Sequence, residues 1–559
     1  MRRPPLLFLF LVAAAAPGLV AAPVINSIAN GASNIPFNSP VALGSIFVIK
    51  GTGLGPANIS ISPAPFKTTS LSGTSVAVTV GGTTVNAPIY YTSATQVAVL
   101  LPSNTPLPGQ GAPAPTFTVT YNGQTSAGVN HGITRSNVGV FTVDSTGQGP
   151  GIVTFGDYSL VSAGKSNPCG GPNTACGSAN PGDTLILWAT GVGPVTGDDT
   201  SGAGLGQNMP DVPLTLWIGG VQAAVTYQGR SGCCIGEDQI VFVVPDNVPT
   251  GCAVPLVVQV GATSNTVSNT TMIPIAPKGS RDCTPVDSAL ASVPIEQGVM
   301  AGPATFGTVE VDRRSSDGGQ TFQDSAQLVF ARIKGYATGS QPFFASYLDV
   351  LPVGTCAVYA NLDGPGGPPI AGLEPIDAGS SFTIQGPNGS MNLTANTDNN
   401  ISLSTAGTFL VPGTFTVRGS GGADVGPFSA TFTIPPSPKL TNGPNFAPNA
   451  TVTRSNGVTV TWNPNGSTGT VQILLLSSLN NAFTDGAIAA CRAAANAGTF
   501  AIPPYVLLAL PAGNFTAFEL SPGSGPTPAA SVPFSANGLS IGLSQVFIDG
   551  ARMNGYTLR

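Results

Sequence analysis

Histidine is almost absent from this chain, which carries a single histidine, His131, among 559 residues. Catalytic sites of the Ser-His-Asp and Cys-His types need a histidine as general base, so every such site that does not use His131 is excluded. We expect His131 to be a solvent-exposed residue in the loop 128–132. The sequence also lacks a Gly-x-Ser-x-Gly nucleophile elbow and a phosphate-binding loop with its lysine.

Charge is scarce as well. Charged residues make up 8% of the chain, whereas ordinary soluble proteins carry about 25%. The 19 Lys and Arg residues form no cluster and the net charge is −6, so nucleic acid is not expected as a partner. Because the apolar fraction is 42%, and Gly (72) and Pro (52) are abundant, the composition favours secreted all-β modules over disorder.

Long apolar runs are missing except at the N-terminus. There, Arg2 and Arg3 precede the short apolar run 6–16, and small residues end at Ala22. This pattern predicts a signal peptide over residues 1–22, because the run is shorter than the roughly 20 residues of a spanning helix. With no second span, we expect a secreted or cell-surface protein whose mature chain has no transmembrane anchor.

The strongest internal signal is a repeat. Residues 44–56 return as residues 182–194 at an offset of 138 (182 − 44), and Gly81-Gly82 returns as Gly219-Gly220. Before the first glycine pair, residues 75–80 alternate apolar and polar side chains. This alternation predicts a β-hairpin that turns at the glycines and returns over residues 85–91.

The repeated elements also resemble a known family. They read Gly-Ser-x-x-x-Ile-x-Gly-Thr-x-Leu-Gly, Val-x-Val-Gly-Gly and Gln-Val/Ile-x-x-x-x-Pro, within residues 24–275. In this order they resemble IPT/TIG-type immunoglobulin-like repeats, such as those of uncharacterised secreted acidobacterial proteins. The resemblance implies an extracellular immunoglobulin-like array, and it implies neither catalytic residues nor a substrate.

We therefore predict an all-β, multi-domain array of immunoglobulin-like β-sandwiches. The expected domains are repeat 1 (23–140), repeat 2 (141–278), a third sandwich (285–435) and a fourth (440–559). In the fourth domain, Val458, Val460 and Trp462 share one strand face, so Trp462 is expected in the core. The alanine-rich stretch 485–495 is the one predicted helix.

The cysteines predict disulfides, because their number is even and the chain begins with a predicted signal peptide. Cys169 and Cys176 flank a short Gly/Pro loop and are expected to close it. Two further bridges are expected among four cysteines around the end of repeat 2, and one is expected to tie the later domains together. These six cysteines are Cys233, Cys234, Cys252 and Cys283 for the former, and Cys356 and Cys491 for the latter.

Two tryptophans stand out in repeat 2. Trp188 and Trp217 align with the polar residues Lys50 and Thr79 of repeat 1, which predicts that both rings point outward. Exposed aromatic rings can stack on sugars, so the pair is a candidate ligand-binding platform. The alternative is that the rings pack against a neighbouring domain or a long loop.

Acidic pairs provide the remaining candidates. Asp198 and Asp199 could supply oxygen ligands to calcium, although a solvated loop is the simpler interpretation. Glu237 and Asp238 are adjacent, so on a strand they would point to opposite faces, and we expect a solvated turn there. No cofactor and no other metal site is expected.

Together these features predict a non-enzymatic extracellular scaffold or adhesion protein. One alternative is a carbohydrate-binding accessory protein that uses Trp188 and Trp217. Another is a hydrolase with an unrecognised carboxylate site. The expected partner is an extracellular polysaccharide or a protein, and self-association is a further possibility.

Overall fold

A computed structural model describes most of the chain and shows an all-β protein, as predicted. Within the described residues the only α-helix is the short Pro504–Leu508. The described residues are 21–35, 39–109, 111–163, 177–201, 206–261, 266–284, 304–315, 317–336, 351–360, 370–394, 401–481, 485–523 and 530–559. The predicted signal peptide lies outside them, apart from its last two residues.

Unit 1, residues 24–134, is a sandwich of two antiparallel sheets with an immunoglobulin-like strand order. A short parallel pair, Val41–Ala42 with Ile133–Thr134, joins its ends. The first sheet runs Val24–Asn30, Ile46–Thr52, Gln96–Leu100, Ile89–Thr92, Ser60–Ile61. The second contains Thr74–Val80, Thr83–Asn86, Thr116–Tyr121, Val129–Asn130, Gln124–Thr125 and Ser70–Leu71.

The predicted hairpin forms in unit 1. Thr74–Val80 alternates buried and partly exposed residues, and the turn residues Gly81 and Gly82 have φ of 54° and 87°, which glycine adopts without steric cost. The return strand is shorter than predicted. It ends at Asn86, and the following strand, Ile89–Thr92, pairs in the opposite sheet.

Unit 2, residues 139–275, repeats this arrangement. One difference is that Val221–Arg230 runs without a break from one sheet into the other, because it pairs first with Leu214–Ile218 and then with Asp238–Val243. The first layer contains Gly139–Val140, Val153–Thr154, Thr184–Thr190, Asp238–Val243 and Gln207–Asn208. The second contains Leu214–Ile218, Gly251–Val260, Thr266–Val267 and Thr271–Ile275.

A third sandwich encloses a core rich in phenylalanine, in which Phe382 and Phe415 are fully buried. Its larger sheet contains Ile370–Pro375, Gln323–Tyr336, Ala304–Arg314, Ile541–Ile548, Ala530–Phe534 and Ile401–Ala406. Its smaller sheet runs Gly389–Thr394, Ser381–Gly386, Gly413–Gly419, Phe428–Ile434.

A fourth sandwich completes the fold. Trp462 lies in its core, 3% exposed, as predicted, and donates its indole N–H to the carbonyl of Ala495 at 2.8 Å. Its larger sheet runs Cys356–Ala360, Gly486–Ala494, Thr470–Ser478, Phe515–Pro522, Ala551–Asn554. The facing strands are Lys439–Leu440, Val458–Asn463 and Thr499–Ile502, and Thr451–Val452 pairs with Thr557–Leu558.

The predicted helix at 485–495 is wrong, because this segment is the strand Gly486–Ala494. It lies between two partner strands of the fourth sandwich and is almost wholly buried. Burial on both faces of a sheet removes the alternation of polar residues that marks a strand. The helix propensity of alanine is a weak preference that this tertiary pairing overrides.

Strand pairing also crosses the predicted boundary between the third and fourth domains. Ile541–Ile548, near the C-terminus, pairs in parallel with Ala304–Arg314 of the third sandwich. Conversely, Cys356–Ala360 pairs with Gly486–Ala494 of the fourth. The two C-terminal sandwiches are therefore interleaved along the chain.

Three disulfides occur among the described cysteines. They are Cys233–Cys234, Cys252–Cys283 and Cys356–Cys491. The two bridges expected among the four cysteines around the end of repeat 2 are formed, and so is the Cys356–Cys491 bridge. This last bridge joins directly paired residues of neighbouring strands in one sheet, whereas we expected it to link two domains. Cys169 and Cys176 lie outside the described residues.

The interleaving predicts coupling between distant segments. Val546 is fully buried and pairs with Val311, so Val546→Ala should lower the local free energy of unfolding by about 1–3 kcal/mol. Hydrogen exchange should then accelerate in the amides of Ala304–Arg314. The neighbouring outward residue gives the control, Gln545→Ala, which should leave that exchange unchanged. Unchanged exchange in both variants would contradict the pairing.

Candidate functional site

The junction between units 1 and 2 is built around a buried arginine. Arg230 ends the strand Val221–Arg230 and is only 1% exposed. Its Nε donates to Oδ1 of Asp238 at 2.9 Å, and its Nη2 donates to the backbone carbonyl of Gly44 in unit 1 at 2.7 Å. A charge this deeply buried needs both counter-charge and hydrogen bonds, and the junction supplies both.

Two buried aspartates complete the cluster. Asp238 also accepts from the backbone N–H of Val192 at 2.8 Å. Asp199 lies 3.6 Å from Nη1 of Arg230, and it accepts from the backbone N–H of Ser103 in unit 1 at 3.1 Å and from the Ser103 hydroxyl. The ion cluster therefore spans the two units and draws its polar partners from both.

Electrostatics keeps this arginine charged. Burial alone would lower the pKa of Arg230, but the carboxylates of Asp238 and Asp199 outweigh it and hold that pKa above its ordinary value. Removal of one partner from such a cluster would leave an uncompensated buried charge, which is strongly destabilising.

Within each predicted acidic pair, the two residues have different surroundings and different roles. Asp199 is a buried counter-ion and not a residue of a solvated loop, whereas its neighbour Asp198 is exposed and accepts from the backbone N–H of Thr200 at 3.0 Å. Asp238 is fully buried, and Glu237 is half-buried beside Cys233. The expectation of a solvated turn at 237–238 was wrong, because the pair sits at a domain junction.

The role of Arg230 was not predicted from the sequence. The feature that could have indicated it is the short hairpin between Arg230 and Asp238, which pairs these two residues directly across the strands. Opposite charges that face one another on adjacent strands stabilise the pair. In a chain with so few charges, such a pair was the best available indicator of a buried ionic contact.

Gly44 is required at this junction by geometry. Its φ is 71°, and a Cβ atom there would lie 2.6 Å from the Ser103 Oγ and 2.8 Å from Nη2 of Arg230. A side chain would therefore displace the arginine. The equivalent glycine of unit 2, Gly182, also has a positive φ of 90° but meets nothing within 4 Å.

The loop that precedes Asp238 docks on unit 1. Its Ile235 carbonyl accepts a hydrogen bond from the hydroxyl of Tyr90, whose pKa is raised by burial and by the carboxylate of Glu237. The carbonyl of Gly236 accepts from the Thr190 hydroxyl at 2.6 Å, and Thr190 in turn accepts from the backbone N–H of Ile46 at 2.9 Å. These bonds fix the loop against the first sheet of unit 1.

Trp217 lies at a second junction, between unit 2 and the fourth sandwich. Its ring stacks on Tyr505 with centroids 4.9 Å apart and an interplanar angle of 17°. Nearby, the backbone N–H of Val358 donates to the Thr270 hydroxyl at 3.1 Å. One face of Trp217 is therefore covered by a neighbouring domain, as the alternative prediction stated.

Trp188 is placed differently. It is half-buried, and its indole N–H donates to the Thr154 hydroxyl at 3.1 Å. Its ring centroid lies 6.2 Å from that of Tyr158. Because Leu187 and Leu216 are buried in the same core from opposite sheets, the adjacent Trp188 and Trp217 point away from each other. The two rings do not form one common platform for a sugar chain.

A second charged cluster lies between the two C-terminal sandwiches. Nη2 of Arg314 lies 2.7 Å from Oδ1 of Asp312, and Nη1 of Arg314 lies 3.4 Å from Oδ1 of Asp549. Asp549 also accepts from the backbone N–H of Ser315 at 3.1 Å. Burial, together with the carboxylate of Asp312, raises the pKa of Glu310 to about 7, and burial with Asp549 raises that of Glu519 to about 7.

His131 is half-buried and not a solvent-exposed loop residue. Its Nε2 lies 3.1 Å from the carbonyl oxygen of Ser39, and its ring packs edge-on against Phe117 at 5.9 Å. Burial lowers its pKa. The imidazole thus packs within unit 1.

No family model and no curated protein matches the chain. Among solved structures, a host-cell-retention fragment of a 1.5-MDa bacterial ice-binding adhesin is 12% identical, covers 66% of this chain and 94% of its own, and has a TM-score of 0.11. A titin I-band fragment is 8% identical over 66% and 94% of the two chains, with a TM-score of 0.11. Immunoglobulin domains of Sidekick-1 are 9% identical over 94% and 100%, with a TM-score of 0.12.

The Arg230 junction predicts unequal effects of one substitution at two equivalent glycines. Gly44→Ala and Gly182→Ala both place alanine at a positive φ, but only the first displaces Arg230. We expect Gly44→Ala to lower the free energy of unfolding by about 2 kcal/mol more than Gly182→Ala. Denaturant unfolding measures this difference, and equal losses would contradict the role given to Gly44.

The C-terminal cluster predicts a pH dependence. Glu310 and Glu519 have folded-state pKa values of about 7, above their ordinary 4.5, so the folded state binds their protons more tightly than the unfolded state. Their contribution to stability is greatest below about pH 4.5 and declines as the pH rises through 7.

Glu519→Gln should therefore flatten the decline in stability between pH 5 and 8, as measured by urea unfolding across that range. Asp317→Asn is the control, because the pKa of Asp317 is about 2 and this exposed group stays ionised throughout. If the pH profile of Glu519→Gln runs parallel to that of the wild type, Glu519 does not have the raised pKa given to it here.

Proposed function

We propose that this chain is a non-enzymatic scaffold or adhesion protein that works outside the cell or at its surface. The observation that carries the proposal is the Arg230 cluster, which fixes unit 1 against unit 2 through buried contacts from both units. Relative movement of domains in one chain is the default, and a buried ion cluster shared between units 1 and 2 opposes it. A chain with fixed junctions can hold its outer surfaces at constant spacing, as scaffold work requires.

The other features agree with this role. Disulfides persist in oxidising compartments outside the cytosol, and the described residues hold three of them. The residues before Pro23 fit a secretory signal. Within the described residues, no helix has the length and hydrophobicity needed to cross a bilayer. The IPT/TIG type of the two repeats is part of the same proposal, supported by their shared motifs and strand order.

The partner in this proposal is an extracellular polysaccharide, a protein or a second copy of the chain. The carboxylate pair Glu237 and Asp238 gives little support to the enzymatic alternative, because Asp238 is committed to Arg230. The carbohydrate alternative loses its two-ring platform, because Trp188 and Trp217 point away from each other.

A retention assay tests the proposal. We expect the labelled protein to bind saturably to intact cells of the organism that produces it, to the polysaccharide fraction of those cells or to immobilised copies of itself. It should leave the bound material chemically unchanged. Release of soluble sugars or peptides from that material would contradict the non-enzymatic assignment, and absence of saturable binding to all three would contradict the adhesion role.

A second experiment measures how rigidly unit 1 is held against unit 2. Small-angle X-ray scattering of the wild type should fit a single conformation, and Arg230→Gln should broaden the distribution of sizes because unit 1 is released from unit 2. Asp198→Asn, at the exposed neighbour of Asp199, is the matched control and should scatter like the wild type. A broad wild-type distribution would contradict a fixed scaffold.

A further inference from the structure

The hairpin loop between Arg230 and Asp238 carries an unusual group of side chains. Cys233 and Cys234, adjacent in sequence, are joined in a disulfide. The Oε2 atom of Glu237 lies 4.0 Å from the Sγ of Cys233. The two sulfurs and a carboxylate oxygen of Glu237 all lie within 4.8 Å of one another.

Glu237 has no evident structural role. Asp238 and Asp199 neutralise Arg230, whereas Glu237 makes no ion pair with a cation among the described residues. It is nevertheless half-buried, and it faces the sulfurs. A half-buried carboxylate beside two sulfurs offers a set of donor atoms that suits a thiophilic cation.

We propose that reduction of the Cys233–Cys234 disulfide creates a binding site for a thiophilic divalent metal ion of the Zn²⁺ class. The ligands are the two thiolates and the Glu237 carboxylate, and water takes the open fourth position. Thiolate sulfur and carboxylate oxygen are both accepted ligands of zinc. While the disulfide is intact the thiolates do not exist, so the site is controlled by the redox state.

The chemistry balances with an external dithiol as reductant. One thiolate of the dithiol attacks a sulfur of the disulfide, and its second thiol completes the exchange. Two electrons and two protons pass to Cys233 and Cys234, and the dithiol leaves as its own disulfide. Metal binding then releases the two thiol protons to solvent.

The loop is held in a form suited to three ligands. The backbone N–H of Ser231 donates to the carbonyl of Glu237 at 2.9 Å, which closes the loop at its base. Ile235 and Gly236 are fixed by Tyr90 and Thr190. Tetrahedral zinc with ordinary bond lengths separates a sulfur from an oxygen ligand by about 3.5 Å, close to the 4.0 Å between Cys233 and Glu237.

Access favours reduction at this bridge. Cys233 is exposed and Cys252 is half-buried, whereas Cys283, Cys356 and Cys491 are at most 9% exposed. Because exchange requires approach of the attacking thiolate to a sulfur, the Cys233–Cys234 bridge should be reduced before the two other described bridges under mild conditions.

The test is a zinc titration of the full chain after mild reduction with a dithiol and removal of that reagent. The readout is competition with a chromophoric chelator, with released thiols counted in parallel. We expect the reduced wild type to bind Zn²⁺ at least about 100-fold more tightly than the oxidised protein. Glu237→Gln should weaken the reduced site by about tenfold or more while releasing the same number of thiols.

The control is the double variant Cys233→Ser/Cys234→Ser, which undergoes the same reduction and keeps the other six cysteines. It should show only the weak binding of the oxidised wild type. Equal zinc affinity in the reduced double variant and the reduced wild type would overturn the proposal. Wild-type affinity in Glu237→Gln would remove the carboxylate from the ligand set.

Discussion

The burial of the Arg230 charge is the constraint on which the arrangement of the two repeats depends. A guanidinium removed from water needs neighbouring counter-charge and hydrogen bonds. Unit 2 supplies the charges of Asp238 and Asp199, but unit 1 supplies the Gly44 carbonyl and the Ser103 donors that complete the cluster. Separation of the units would leave this cluster incomplete. The positions of these donors and acceptors therefore constrain how unit 1 is placed against unit 2.

Duplication of one sandwich allowed equivalent positions to acquire different roles. Gly44 touches the arginine, while its counterpart Gly182 faces open space. Trp217 stacks on Tyr505 of the fourth sandwich, whereas the residue at the same place in unit 1 is Thr79, which contacts Thr84 on the adjacent strand. Equivalent positions therefore serve the fold in one copy and a junction in the other, whether the residue is shared, as at Gly44, or differs, as at Trp217.

This division also explains which features were predictable from sequence. The Gly81-Gly82 hairpin and the buried Trp462 follow from local rules of turn geometry and alternation, so they were predicted. The helix at 485–495 was wrong because central strands of a sheet take their conformation from their neighbours. The buried cluster needed three segments that are distant in sequence, around residues 44, 103 and 199, to meet Arg230. No local pattern marks such a meeting, although the Arg230–Asp238 pair across a short hairpin was a partial sign of it.

The C-terminal half reaches a fixed arrangement by a different route. Units 1 and 2 are contiguous in sequence and meet through side chains, but the third and fourth sandwiches exchange strands along the chain. Asp549 lies where the chain leaves Ile541–Ile548 of one sandwich for Ala551–Asn554 of the other, and it holds Arg314 and the backbone of Ser315 at that crossing. Because neither sheet is complete without strands from the distant segment, these two sandwiches must form together. A chain built in this way joins its N-terminal units through side-chain contacts and its C-terminal sandwiches through shared backbone strands.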